Sequence, residues 1–132
     1  MQRTVWIIDD DMVSQFATRY CLEQFGGEFV ISTFSNAESG LLAIDELLAE
    51  KEAIPELIFL DLIMDEMDGW EFIEALKKKL KRANFPEIYV LSAFANSKDR
   101  ARAKAHKKVA GFFDKPLTRV SLAKVFTEST TP

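Results

Sequence analysis

The chain has 132 residues, 48% of them hydrophobic and 29% charged, with a net charge of -4 at neutral pH. That length holds one domain with a real core and is too short for two ordinary ones; the acidic balance argues against a general nucleic-acid binder. With Cys21 as the single cysteine no internal disulfide can form, no signal peptide opens the chain, and no apolar run reaches the ~20 residues that span a bilayer. The expected setting is cytoplasmic, without membrane insertion.

Thr4-Val5-Trp6-Ile7-Ile8 is β-branched and aromatic without alternation, which reads as a strand covered on both faces. It ends in Asp9-Asp10-Asp11. From Val13 to Phe25 the apolar residues Val13, Phe16, Ala17, Tyr20, Cys21 and Leu22 fall on one helical face, with Cys21 expected in the core, and Gly26-Gly27 stops the helix. Phe29 to Phe34 is a more mixed strand, suited to a sheet edge. Ser35 or Asn36 caps a second helix, in which Ala37, Leu41, Ile44 and Leu48 recur at helical spacing.

After Pro55, Leu57-Ile58-Phe59-Leu60 reads as a buried strand that ends abruptly at Asp61. An acidic loop follows and stops at Gly69. A third helix carries the stripe Phe72, Ile73, Leu76 and Leu80, with Lys77, Lys78, Lys79 and Lys81 placed to suit its dipole. Ile88 to Leu91 forms a fourth strand ending at Ser92. Asn96 or Ser97 opens a polar helix to about Lys108, with Ala101, Ala105 and Val109 as a thin apolar edge. Gly111-Phe112-Phe113 is a short fifth strand ending near Asp114-Lys115-Pro116. A last helix from about Thr118 uses Leu122, Val125 and Phe126. Residues 1–126 make one domain, and 127–132 have the composition of a frayed tail.

Strands alternating with helices imply a parallel, doubly wound α/β sheet with helices on both faces and right-handed crossovers. The carboxyl ends of parallel strands share one edge, where such sheets bind ligands. That edge receives Asp9 and Asp10, Asp61, Ser92 and Lys115. Carboxylates crowded together repel by about 4 kcal/mol per pair at 4 Å and an effective dielectric of 20. They must be partly protonated, neutralised by Lys115, or built for a divalent cation. Oxygen ligands without His or Cys favour a hard ion, Mg2+ above all, with Mn2+ as a substitute. A hydroxyl and an ammonium opposite that ion suit the oxygens of a phosphoryl group.

The pieces Ile7-Ile8-Asp9-Asp10, Leu60-Asp61, Met64, Met67-Asp68-Gly69, Val90-Leu91-Ser92-Ala93 and Lys115-Pro116 occur in order and at strand ends. Together they resemble the receiver domain of bacterial two-component response regulators, over Thr4 to Phe126. The resemblance implies a flavodoxin-like sheet of order 2-1-3-4-5. It implies Asp61 as phosphoacceptor, Asp10 and Asp9 as metal ligands, and the backbone carbonyl of Ile63 as a further ligand. Ser92 and Lys115 would hold the phosphoryl group, and Phe112 takes the place of the aromatic switch without a hydroxyl. The Lys115–Pro116 bond is expected to be cis.

What the resemblance further implies is a single-domain response regulator and not a conventional enzyme. A sensor histidine kinase or a histidine phosphotransfer protein would donate the phosphoryl group, and a downstream protein would read the face of the fourth helix, fifth strand and fifth helix. No output domain is expected, because the chain ends soon after the last helix. Two departures stand out. Asp65 replaces the family's usual proline, and Ile63 and Phe94 flank the path of an attacking water, which suggests slow self-dephosphorylation.

Taken alone, Asp9-Asp10-Asp11 reads equally as a solvated turn capping the first helix. Asp65, Glu66 and Asp68 read as solvated loop acids, and no glycine stands where a calcium loop needs one. His106, among Lys104, Lys107 and Lys108, reads as a surface residue. The rival class is a haloacid-dehalogenase-like phosphatase with Asp9 as nucleophile, since Asp9-x-Asp11-x-Val13 follows an apolar strand. It leaves Asp61 without a role and lacks an acidic motif after Lys115. A third reading is a receiver-like binding module that is never phosphorylated.

Overall fold

The computed structural model describes residues 2–80, 84–93 and 96–128. The elements in chain order are β1 (Arg3–Ile8), α1 (Met12–Phe25), β2 (Phe29–Phe34), α2 (Ala37–Ala49) and β3 (Leu57–Asp61), followed by α3 (Gly69–Lys79), β4 (Glu87–Ser92), α4 (Ser97–Ala105), β5 (Val109–Asp114) and α5 (Arg119–Glu128). The five strands form one sheet in the order β2-β1-β3-β4-β5, and every neighbouring pair is parallel. Phe29–Phe34 is an edge strand, as its mixed composition implies.

Because successive strand residues point to opposite faces, the sheet feeds two cores. Ile8, Ile58, Leu60, Ile88 and Val90 pack with Leu41 and Ile44 of α2 and with Phe72, Ile73 and Leu76 of α3. Val5, Ile7, Phe59 and Leu91 pack with Leu22 of α1 and with Leu122 and Val125 of α5. All five residues of β3 are buried, so the strand that carries Asp61 is the most enclosed part of the sheet.

The helix starts follow local chemistry. The Asp11 side chain accepts from the N–H groups of Val13 and Ser14, and Asn36 accepts from Ser39. Asp68 and Glu71 form a reciprocal capping box at the start of α3. Gly26 closes α1 with a left-handed φ of 97°.

Several expectations need correction. The apolar face of α1 is turned outward: Val13 is 78% exposed, Phe16 70% and Tyr20 55%, while Gln15, Thr18 and Leu22 are buried. The cause is polar. The Gln15 amide donates to the carbonyls of Asp9 and Phe34, which fixes the helix rotation at the ends of β1 and β2. Cys21 is accordingly half-buried against the second core. Leu48, near the end of α2, is also exposed.

The fourth helix ends at Ala105, and β5 is longer than expected, beginning at Val109. Ala103, not Ala101 or Ala105, is its buried residue. With so little apolar surface to bury, α4 is held by polar and aromatic contacts. The Trp70 indole donates to Asp99 at 3.3 Å, and the Arg102 guanidinium lies 4.4 Å from the Trp70 ring centroid. His106 stacks on Trp70 and is therefore not a plain surface residue. Its Nδ1 accepts from the Lys108 N–H, so Nε2 donates to Glu74 at 3.2 Å; that bond holds the Glu74 carboxyl below the usual carboxylate range. On the other side Arg100 pairs with Asp114 and lies over the Phe112 ring. Phe94, Lys81 and residues 129–132 lie outside the described residues.

Candidate functional site

Strand β1 ends just before Asp9, β3 at Asp61, β4 at Ser92 and β5 at Asp114, one residue before Lys115. The parallel registers set these ends side by side: Asp61 pairs with Leu91 and Ser92 with Asp114. Asp9, Asp61 and Ser92 are buried at this edge.

Lys115 reaches across the sheet end. Its Nζ lies 2.8 Å from Oδ2 of Asp9 and 3.3 Å from Oδ2 of Asp61. Burial pulls its ammonium down, but Asp9 and Asp61 outweigh that pull and the net shift is upward. Burial pushes the Asp61 carboxyl up, with the Asp9 charge adding to the rise; Lys115 and the N–H of Ile63 oppose it, and the outcome is about 6. The lysine is thus the counter-charge that keeps two buried carboxylates together.

Each carboxylate is held differently. Asp9 accepts from the Asp11 N–H at 3.0 Å and from the Ser14 hydroxyl at 2.6 Å, besides Lys115. Asp61 accepts from the Ile63 N–H at 3.3 Å. Asp10 is exposed, and its Oδ2 accepts from the Asp65 N–H at 3.3 Å. One oxygen from each of Asp9, Asp10 and Asp61 lies within 4.8 Å of the others. Three carboxylates with no nitrogen or sulfur donor suit a hard divalent cation such as Mg2+, with waters completing its shell.

Gly69 sits against this strand end because nothing larger fits. A Cβ there would lie 2.7 Å from the Asp61 carbonyl oxygen and 2.8 Å from the Leu62 Cα. Its N–H donates to the Leu62 carbonyl at 2.9 Å, which closes the loop after Asp61.

The Ser92 side chain is fully buried, and its Oγ is the one buried side-chain polar atom among the described residues with no hydrogen-bond partner. Such a group is costly unless something meets it. Phe112 is half-buried against the first core beneath Arg100, and Ile63 is 58% exposed at the mouth. The Lys115–Pro116 bond is cis. Asp9, Asp10, Asp61 and Lys115 thus come together as their strand-end positions imply, with three supports that were not expected: Ser14, Gln15 and the Asp65 backbone. Ser14 had a signal, since the third residue of a helix capped by Asp11 turns back toward the strand end. The Asp65 amide had only the absence of proline.

The chain belongs to the response regulator receiver domain family, whose model matches residues 5–127. It is 32% identical over 102 residues to an uncharacterized 14.6 kDa protein of Leptolyngbya boryana, covering 77% of this chain and 71% of that one. It is 34% identical over 98 residues to the sensor histidine kinase CheAY of Helicobacter pylori, covering 74% of this chain but 11% of the kinase. Among solved structures, a two component response regulator from Cytophaga hutchinsonii is similar at a TM-score of 0.87 and 25% identity, covering 96% of this chain and 95% of that one. A response regulator receiver protein from Dyadobacter fermentans is similar at a TM-score of 0.80 and 26% identity, covering 97% of each chain. The phosphatase alternative falls with this assignment; Asp11, its second acid, is engaged in capping α1.

Proposed function

We propose that Asp61 accepts a phosphoryl group from a phosphohistidine, carried by a sensor kinase or a phosphotransfer protein in the cytoplasm. What supports this most is one juxtaposition. Asp61 has the Asp9–Asp10 oxygens on one side and the Lys115 ammonium at 3.3 Å on another, with a buried, unpartnered Ser92 hydroxyl at the neighbouring strand end. Mg2+ would be held by Asp9, Asp10, Asp61 and the Ile63 carbonyl, and when bound it supplies positive charge against the phosphoryl oxygens. Mn2+ would serve in its place.

In the transfer, an Asp61 oxygen bonds to phosphorus as the P–N bond breaks. The imidazole leaves with the bonding pair and takes a proton from water. Lys115 neutralises charge on the acyl phosphate, and the Ser92 hydroxyl donates to a phosphoryl oxygen. Drawing Ser92 toward the phosphoryl group opens space into which Phe112 repacks, and the α4-β5-α5 face shifts for a downstream protein to read. New charge-assisted bonds made in only one state drive such a population shift.

The exposed apolar face of α1 gives the donor a seat. Val13, Phe16 and Tyr20 are bare, and the helix starts at Met12, next to the acidic edge. The same chemistry would admit small phosphodonors, with slow hydrolysis afterwards, so the chain acts as a signalling domain that transforms only itself. Residues 5–127 would be the signalling unit and the C-terminal residues a tail.

The test is tryptophan fluorescence during titration with magnesium and then beryllofluoride, in the native protein and in Asp61→Asn. Trp70 follows Gly69, which packs against the Asp61 backbone, and contacts α4, so it should report. A response that depends on Asp61 supports the proposal. A response to neither reagent would favour a binding module that is never phosphorylated.

A further inference from the structure

We propose that Asp65, through its backbone N–H, is a positioning residue for Asp10 and sets the affinity of the acidic site for divalent cations. The inference rests on the receiver reading above and goes beyond it, because it concerns a position where this chain departs from the family. Receivers usually carry proline there, and proline has no N–H to donate.

The three carboxylates are unequally secured. Asp9 is buried and takes three donors: the Asp11 N–H, the Ser14 hydroxyl and Lys115. Asp61 is buried and takes two, the Ile63 N–H and Lys115. Asp10 is the exposed member of the cluster. Among the described residues its carboxylate has a single hydrogen-bond donor, the Asp65 N–H at 3.3 Å. That bond is also the only hydrogen bond among the described residues that joins the turn after β1 to the loop after β3.

An exposed aspartate rotates freely about its side-chain torsions, and a cation must stop that rotation to gain a ligand. A backbone N–H on Oδ2 stops it beforehand and leaves Oδ1 free for the ion. The same bond ties the two loops that contribute ligands to one another. Preorganisation of this kind strengthens binding without adding a ligand. The side-chain carboxylate of Asp65 is exposed and contributes a screened charge; the amide does the positioning.

The test separates amide from charge. Magnesium affinity is measured by calorimetry at physiological ionic strength for the native protein, Asp65→Ala and Asp65→Pro, with thermal melting in EDTA to confirm folding. Alanine keeps the N–H and should bind within about twofold of the native protein, the residue of a screened charge. Proline should bind roughly threefold to tenfold more weakly than alanine, the size of one immobilised side chain. In the metal-free protein, Asp10→Ala should shift the Asp65 amide proton resonance upfield, which needs no proline and no folding assumption. Equal affinities for alanine and proline, or an unmoved amide resonance, overturn the inference while leaving the receiver reading intact. A native protein that binds no magnesium overturns both.

Discussion

The ammonium of Lys115 lies 3.3 Å from Asp61, yet the Asp61 carboxyl stands at about 6, not at its ordinary 3.8. Burial wins over the lysine. Between those two values the folded protein holds a proton that the unfolded chain has lost. In that window Asp61 makes stability fall as pH rises. The difference converts to a cost of up to roughly 3 kcal/mol above pH 6. In EDTA, Asp61→Asn should therefore be more stable than the native protein at pH 7.5, and the gain should shrink toward pH 4. Urea denaturation across that range checks the sign. A gain that grows on acidification would contradict it.

Ser92 makes the opposite wager on the two states. Its hydroxyl is buried without a partner, so Ser92→Ala should not weaken the metal-free fold and should strengthen it by about 1 kcal/mol. The same change should weaken beryllofluoride binding about tenfold, the worth of one charge-assisted bond. Melting temperatures and a beryllofluoride titration give the two halves. A loss of metal-free stability above 1 kcal/mol would show that the hydroxyl already has a partner.

Gly69 is set by contact with backbone, which cannot step aside. A methyl group there meets the Asp61 carbonyl oxygen and the Leu62 Cα within 3 Å. Gly69→Ala should cost about 1–3 kcal/mol in urea denaturation. A cost below about 0.5 kcal/mol would mean that the start of α3 slides freely past the end of β3.

Helix α4 buries Ala103 and little else, so its seat depends on the Trp70–Asp99 bond and its neighbours. Trp70→Phe keeps a ring beneath Arg102 and His106 but removes the indole donor. Amide hydrogen exchange in α4 should rise roughly fivefold, about 1 kcal/mol of a lost hydrogen bond, while α2 stays unchanged. Exchange rates that rise equally throughout the sheet would point to a general loss of stability.

Ile63, bare at the mouth of the site, offers an incoming water no hydrogen-bonding group. Ile63→Asn supplies an amide that can orient that water, and the phosphoryl lifetime should shorten on the order of tenfold. Release of labelled phosphate measures it, and an unchanged half-life would remove Ile63 from the account.

Strand ends were legible because fully buried parallel strands write continuous apolar runs that stop at polar residues, whereas the strand order was implied only by the resemblance to receiver domains. Asp9, Asp61, Ser92 and Lys115 each sit at such a stop. Helix orientation was harder to read. Val13, Phe16 and Tyr20 look like a core stripe, but the Gln15 amide binds two strand-end carbonyls and turns that stripe to solvent. The α4 region misled for a related reason. Its alanines carry little apolar signal, and on one side the contacts that hold it come from Trp70 and Glu74, about thirty residues away in sequence. Backbone donors such as the Asp65 N–H leave almost no trace in sequence.

The most direct test of Asp61 as phosphoacceptor is intact-mass analysis after incubation with acetyl phosphate and magnesium. The native protein should gain one phosphoryl group, labile to hydroxylamine as an acyl phosphate is, and borohydride trapping should place it at residue 61. Asp61→Asn should gain none. A phosphoryl group that forms equally on Asp61→Asn, or is trapped at Asp9, would contradict the assignment.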